Sequence, residues 1–274
     1  MERIKEAIRL AKEHRQTQAL TPGSSSPMPV SAEQKPRPNG RGVALDFDLL
    51  PTRKSHLAEN RIVVASRGNP HIAAFDMLRT KVVLEMNANG WQVALMTSPT
   101  AGCGKTVSII NLALSISRQP DQNVVLIDLD LRKPRVISYI GVSPKYELQD
   151  VLNGEVALSQ ALFGVDIGGP QLAFLANKRP LEQPVEALVS RQMQDILATL
   201  RSSMPRPIVL IDMPPVLMSD DVIAFLPQVD CCLLAVAEGQ STLKEIQNSE
   251  KLLSGTNQLG CVLTKSTEKV QTYY

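Results

Sequence analysis

Five short apolar runs punctuate the chain, at residues 94–96, 124–127, 208–211, 231–236 and 261–263. None alternates polar with apolar positions, which suits parallel strands buried on both faces. Helical patterns lie between them, at residues 147–152, 184–203, 219–226 and 242–253. Val107, Ile109, Ile110, Leu112, Ala113, Leu114 and Ile116 make a mostly apolar helix after the first run. Another helix starts at Asn69-Pro70, a capping residue followed by a proline at the first helical position. Its buried stripe is Ile72, Phe75, Leu78 and Val82, and residues 87–90 end it. Ile62, Val63 and Val64 read as a short strand. Strand alternating with helix predicts an α/β fold, a doubly wound and mainly parallel sheet.

Upstream of this pattern the chain changes character. Residues 2–19 read as an amphipathic helix, with Ile4, Ala7, Ile8 and Ala11 on one face among charged neighbours. Such a helix is solvated or docks on a partner, and contact with a membrane surface is the sharper alternative. Residues 21–42 carry Pro22, Pro27, Pro29, Pro36 and Pro38 with glycines and serines, a linker composition. Residues 43–50 are an apolar-acidic patch suited to lying on a domain. The organisation expected is a helix at 1–20, a linker and docking segment at 21–60, and a catalytic-size domain at 61–274.

Chemistry concentrates after the first apolar run. In Thr97-Ser98-Pro99-Thr100-Ala101-Gly102-Cys103-Gly104-Lys105-Thr106 the sequence G-x-x-x-x-G-K-[ST] is met except at its first glycine, where Pro99 stands. Gly102 and Gly104 let backbone N–H groups turn towards an anion, Lys105 supplies a cation, and Thr106 offers a hydroxyl to Mg²⁺. Cys103 lies within the same cradle. The second run ends in Asp128 and Asp130, and the third in Asp212-Met213-Pro214-Pro215. Two apart in an extended chain, Asp128 and Asp130 point the same way. Ligands of doubly wound sheets sit beyond the carboxyl ends of the strands, where all of these residues fall. The expected ligand is a Mg²⁺–nucleotide, one carboxylate serving the metal or its waters and another positioning or deprotonating a nucleophile.

Composition narrows the classes. Of 274 residues 43% are hydrophobic and 20% charged, an ordinary globular balance, and the net charge of +2 argues against a nucleic-acid partner. No stretch reaches the roughly 18 apolar residues that cross a bilayer; residues 222–237 come nearest and are broken by Pro227, Gln228 and Asp230. The start, Met1-Glu2-Arg3-Ile4-Lys5-Glu6, has no apolar region of the signal-peptide kind. Cys103, Cys231, Cys232 and Cys261 show no metal-ligand spacing and are expected to be reduced thiols in the cytoplasm.

With these residues in hand, the chain resembles the bacterial tyrosine autokinases that control capsule and exopolysaccharide synthesis. Residues 97–106 look like that family's Walker A loop, which also lacks the first glycine. Leu126-Ile127-Asp128-x-Asp130-x-Arg132 matches its Walker A′ pattern, and Val209-Leu210-Ile211-Asp212-x-Pro214-Pro215 its Walker B pattern. Residues 147–155 and the final Tyr273-Tyr274 are also similar. The resemblance covers about residues 61 to 274 and implies a P-loop NTPase fold and ATP-dependent phosphorylation of the chain's own C-terminal tyrosines, Tyr273 and Tyr274. It further implies that Lys105 holds phosphates, Thr106, Asp130 and Asp212 serve Mg²⁺, and Asp128 takes the tyrosine proton. The partner implied is a membrane polysaccharide co-polymerase or chain-length determinant protein, which would bring a cytoplasmic domain to the inner face of the membrane. A homo-oligomer is also implied.

The sequence departs from the family at the helix before Walker A. Where the family carries Glu-x-x-Arg-x-x-Arg for ring assembly, this chain has Ala73, Asp76 and Arg79. Cys103 replaces a frequent glutamate. Two alternatives stay open: a P-loop ATPase switch of the cell-division type, and a non-catalytic nucleotide-binding regulator of a polysaccharide exporter. The switch proteins carry a lysine early in the loop, and here Thr100 occupies its place.

Overall fold

The computed structural model describes residues 47–65, 69, 71–120, 122–167 and 172–267. The expected helix at 2–19, the linker at 21–42 and the tyrosines Tyr273 and Tyr274 lie outside the described residues. Among the described residues eight strands form one sheet: β1 (Asp48–Pro51), β2 (Val93–Thr97), β3 (Asn123–Asp128), β4 (Phe163–Asp166), β5 (Ala173–Leu175), β6 (Pro207–Asp212), β7 (Cys231–Ala237) and β8 (Asn257–Thr264). Their order is β1-β4-β5-β3-β6-β2-β7-β8. From β5 to β8 all neighbours are parallel. The β4–β5 pair is antiparallel, so β1 and β4 run against the rest. This is the doubly wound, mainly parallel sheet that the alternation of patterns implies.

The runs in β2, β3, β6 and β7 lack alternation because both of their faces meet a helical layer. The run at 261–263 departs from the expectation, since β8 is an edge strand with Cys261 and Leu263 exposed and Val262 half-buried. Val93, Leu95, Val125, Ile127, Val209 and Ile211 pack into one layer with Met193, Ile196, Leu197 and Leu200 of the helix Arg191–Ser203. Their neighbours Ala94, Met96, Val124, Leu126, Ile208 and Leu210 pack into the other. There they meet Ile109, Ile110, Leu112 and Ile116 of the helix Lys105–Ser117 and Val82, Val83 and Met86 of the helix Ile72–Asn89. A parallel strand covered on both sides needs apolar side chains at every position.

Several local expectations are corrected. The helical pattern at 184–203 is two helices, Pro184–Val189 and Arg191–Ser203, split at Ser190. The Ser190 hydroxyl accepts the Met193 N–H at 3.1 Å, an N-cap that starts the second helix. Residues 62–64 are not a strand; Val63–Ala65 form a 3-10 turn with Ile62 and Val64 buried. Asn111, buried in the helix Lys105–Ser117, explains this. Its Oδ1 accepts the Val64 N–H at 3.0 Å and its Nδ2 donates to the Arg61 carbonyl at 3.0 Å, using groups a strand ladder would need. The helix expected from Asn69 begins later, at Ile72, because Asn69 Oδ1 accepts the His71 N–H and closes a turn first. Ile72, Phe75 and Leu78 are half-buried, and the fully enclosed positions are Val82, Val83 and Met86. Upstream of residue 61, β1 pairs with β4 and the helix Lys54–Glu59 buries Leu57, so the ordered body takes in part of the expected docking segment.

Candidate active site

β3, β6 and β2 are adjacent, and their register aligns their C-terminal ends: Asp128 opposes Asp212, and Met96 opposes Asp212. The phosphate-type loop leaves β2 at Thr97 and enters the helix at Lys105. Gly102 and Gly104 both have φ of 79°, the left-handed region where a side chain is strained. Position 99 does not share that conformation, so its proline fits without the freedom of glycine. The loop is clamped to the segment after β6. Thr97 Oγ1 donates to the Pro214 carbonyl at 2.6 Å, and Val216 N–H donates to the Ser98 carbonyl at 2.9 Å.

The loop faces a cavity of about 690 Å³ lined by Gly102, Gly104, Lys105, Thr106, Asp130 and Arg132 among others. Lys105 Nζ lies 2.8 Å from Asp130 Oδ2 and 3.5 Å from Asp212 Oδ1. Thr106 Oγ1 donates to Asp212 Oδ2 at 2.6 Å. Burial alone would lower the Lys105 ammonium, but Asp212 and Asp130 outweigh it and push it up to about 12. Asp212, fully buried, is raised by desolvation against the opposing pull of Lys105 and the Thr106 hydroxyl.

Asp128 and Asp130 do not point the same way. β3 ends at Asp128 and the chain turns at once, so the period of an extended strand no longer applies. Asp128 Oδ2 accepts N–H groups from Arg135 and Val136, each at 2.9 Å, and Oδ1 accepts the Asp130 N–H at 3.2 Å. It is wholly buried and does not line the cavity, whereas Asp130 does. Desolvation, and then the Asp212 carboxylate, raise Asp128 to about 8. The Cys103 thiol is also buried away from the cavity, 3.6 Å from Ser241 Oγ and 3.7 Å from Thr100 Oγ1. Its carbonyl accepts the Thr264 hydroxyl at 2.6 Å, which ties the loop to the end of β8.

Nothing in the sequence pattern points to Asp221, Gln240 or Lys265, which lie far along the chain from the loop. Gln240 Nε2 donates to the Ala101 carbonyl at 2.7 Å, and Lys265 Nζ donates to Gln240 Oε1 at 2.8 Å. Among the described residues no cluster of three or more His, Cys, Asp or Glu is arranged around a metal. The donor chemistry nonetheless fits a Mg²⁺–nucleotide. Thr106, Asp130 and Asp212 offer oxygen only, as Mg²⁺ prefers, and the left-handed glycines keep the cradle free of Cβ atoms.

No protein-family profile matches the chain. It is 33% identical over 189 residues to a putative tyrosine-protein kinase EpsB of Ralstonia solanacearum, covering 69% of this chain and 24% of that protein. A putative tyrosine-protein kinase in the cps region of Klebsiella pneumoniae is 28% identical over 205 residues, 74% of this chain and 28% of that protein. The kinase domain of the Escherichia coli tyrosine kinase ETK superposes with a TM-score of 0.66 at 26% identity, covering 74% of this chain and 78% of that one. This domain belongs to the bacterial tyrosine-kinase family. The chain spans about a quarter of the length of the curated relatives described.

In this bacterial tyrosine-kinase domain, positions 76 and 79, compared above with the family's ring-assembly motif, bond within the domain. Arg79 pairs with Asp76 at 3.0 Å, and Asp76 Oδ1 also accepts the Ser115 hydroxyl at 2.7 Å. Arg79 reaches the Ser115 carbonyl at 3.2 Å. Arg79, the one motif residue kept, and Asp76, which replaces a motif arginine, are thus both engaged with the domain's own phosphate-loop helix. Among the described residues no helix is long and apolar enough to cross a membrane.

Proposed function

We propose that this chain is the catalytic domain of an ATP-dependent protein-tyrosine kinase that regulates exopolysaccharide or capsule polymerisation and export, with Tyr273 and Tyr274 as phosphate acceptors. One observation carries the reading: Lys105, Thr106, Asp130 and Asp212 converge at the ends of three adjacent strands, beside a glycine cradle. The relative from a cps region supports the polysaccharide setting.

In this reading Lys105 leaves its two carboxylates to hold the outer phosphates. Thr106 with Asp130 and Asp212 holds Mg²⁺ or its waters. The bound Mg²⁺–nucleotide supplies the phosphoryl group and neutralises its charge. Asp128 takes the tyrosine proton, and its raised value narrows the gap to a phenol near pKa 10. Three backbone N–H groups occupy Asp128, so a hydroxyl reaches it only after residues 130–136 move. Positioning therefore carries more of the rate than basicity. The partner is a membrane polysaccharide co-polymerase, which brings the domain to the inner membrane face, and a homo-oligomer lets one copy's tail enter another's site.

The enclosure of Asp128 also favours a second reading, a nucleotide-dependent switch or regulator without phosphoryl transfer to tyrosine. Mass spectrometry separates the two. Full-length protein incubated with Mg·ATP, alone and with cytoplasmic segments of the co-polymerase, gains phosphotyrosine in the kinase reading. Nucleotide turnover without phosphotyrosine under both conditions overturns it.

A further inference from the structure

Arg132 ends the Asp128-x-Asp130-x-Arg132 motif, and the reading above gives it no task. It lines the cavity. Its Nε and Nη2 donate to Asp221 Oδ2 and Oδ1, each at 2.9 Å, a fork-on-fork pair between residues 89 apart in sequence. Asp221 is fully buried, and its own N–H donates to the Ser219 hydroxyl at 3.2 Å. Asp220, exposed, adds a looser contact at 3.5 Å. The pair fixes the guanidinium plane before any ligand arrives. Nη1 makes no hydrogen bond to a described residue.

The direction of a bound triphosphate follows from the walls of the cavity. The glycine cradle and helix N-terminus take its inner phosphates. The outer end must then run towards the wall that Lys105 touches, the Asp130 carboxylate at 2.8 Å. Arg132 lies two residues further along that wall. Pro214, Pro215, Met218 and Ser219 also line the cavity, and Ser219 stands two residues before Asp221 in sequence. The loop itself offers no second cation, since Thr100 stands at the early-lysine position.

We propose that Arg132, oriented by Asp221, contacts the terminal phosphate and makes the site distinguish a nucleoside triphosphate from a diphosphate. Arg132 is the ligand contact and Asp221 is a positioning residue. This rests on the nucleotide-binding part of the function above and not on transfer to tyrosine.

The test is calorimetric titration of the full chain with a non-hydrolysable ATP analogue and with ADP, each with Mg²⁺. Arg132→Gln alone strands the buried Asp221 charge and risks misfolding. The paired variant Arg132→Gln/Asp221→Asn removes that charge, and an unchanged far-ultraviolet spectrum and melting point confirm its fold. Losing a charge-assisted contact should raise the Kd for the ATP analogue by at least about tenfold in the paired variant, with ADP affinity nearly unmoved. Arg132→Lys keeps charge without the fork and should fall between. Asp221→Asn alone, which leaves the guanidinium unanchored, should lose part of the discrimination. A folded paired variant with the wild-type ratio of ATP-analogue to ADP affinity overturns the proposal and leaves Arg132 a structural tie. The kinase reading fails separately, by wild type that binds both nucleotides yet forms no phosphotyrosine.

Discussion

Asp128 and Asp212 stand opposite one another in register, each the last residue of its strand and each fully buried. Burial raises both, and their proximity raises Asp128 further, to about 8, against an ordinary carboxylate near 3.9. The folded state therefore holds a proton on Asp128 that the unfolded chain releases. Stability falls wherever the native state binds more protons. This group's contribution should be fully present below about pH 4, decline as pH rises, and be lost above about pH 8. Urea unfolding of the nucleotide-free protein at several pH values across that window should show the decline, and Asp128→Asn should flatten it. A wild-type profile already flat between those limits would contradict the assignment.

The same shift predicts the direction of activity with pH. A protonated Asp128 cannot accept a tyrosine proton, so the initial rate of phosphotyrosine formation should climb from pH 6 towards pH 8 and then level. Measured under saturating Mg·ATP, Asp128→Asn should lose most of the rate at all these values while keeping nucleotide affinity. Asp130→Asn should instead weaken Mg²⁺-dependent binding, since Asp130 lines the cavity and meets Lys105. Identical profiles from the two variants would defeat this division of labour.

Lys105→Met should abolish phosphotyrosine, because no other cation of the loop replaces the ammonium. It also removes the charge lying between Asp130 and Asp212. The fold should survive, with a melting point lowered more at pH 8 than at pH 5, because Asp128, raised to about 8, is protonated at the lower value and then has no charge for Lys105 to offset. Equal lowering at both values would show that the loss is packing rather than charge.

The sheet and the phosphate loop were legible in sequence because both impose local patterns. Two-faced burial demands unbroken apolar runs, and an anion cradle demands glycines at fixed spacing before a lysine. The ends of β3 and β6 were legible for the same reason, each run closing on an aspartate. The opposite orientation of Asp128 and Asp130 was not, because it depends on where β3 stops and on N–H groups of Arg135 and Val136 further on. β4 is short, Phe163–Asp166, and carries no comparable run; β5, Ala173–Leu175, lies in the unbroken apolar stretch 172–176, a strand signal that the five runs above omit. The Arg132–Asp221 pair and the Gln240–Lys265 contact join distant segments, which no spacing reveals.

Asn111 tests how such distant ties fix the loop helix. Its side chain meets Val64 N–H, the Arg61 carbonyl and the Val107 carbonyl, all in the interior or partly so. Asn111→Ala strands the Val64 N–H and should cost about 1–3 kcal/mol. Chemical denaturation reads this directly, and a loss well below that range would mean water or a shifted turn replaces the bonds.

The last prediction concerns the tyrosines. Thr267 N–H donates to Glu238 Oε2 at 2.9 Å, which anchors the chain just beyond β7 and next to the loop-bearing side of the sheet. Residues 268–274 carry Tyr273 and Tyr274, and a fully extended segment of that length reaches roughly 20 Å at about 3.3 Å per residue. That reach, from a root held at the sheet edge, suits entry into a neighbouring copy's cavity. Phosphate should therefore transfer mainly between copies. Each phosphate adds about −1.5 to −2 charge, which repels the segment from Asp130 and Asp212 once nucleotide and metal depart and so favours release. The measurement mixes full-length Lys105→Met protein with active protein lacking residues 268–274 and Mg·ATP. Phosphate on Tyr273 or Tyr274 of the Lys105→Met chain is the expected outcome. An unmodified pair in the mixture, with robust labelling of the intact wild type alone, would show transfer within one copy instead. No labelling in either would move the assignment to the switch reading.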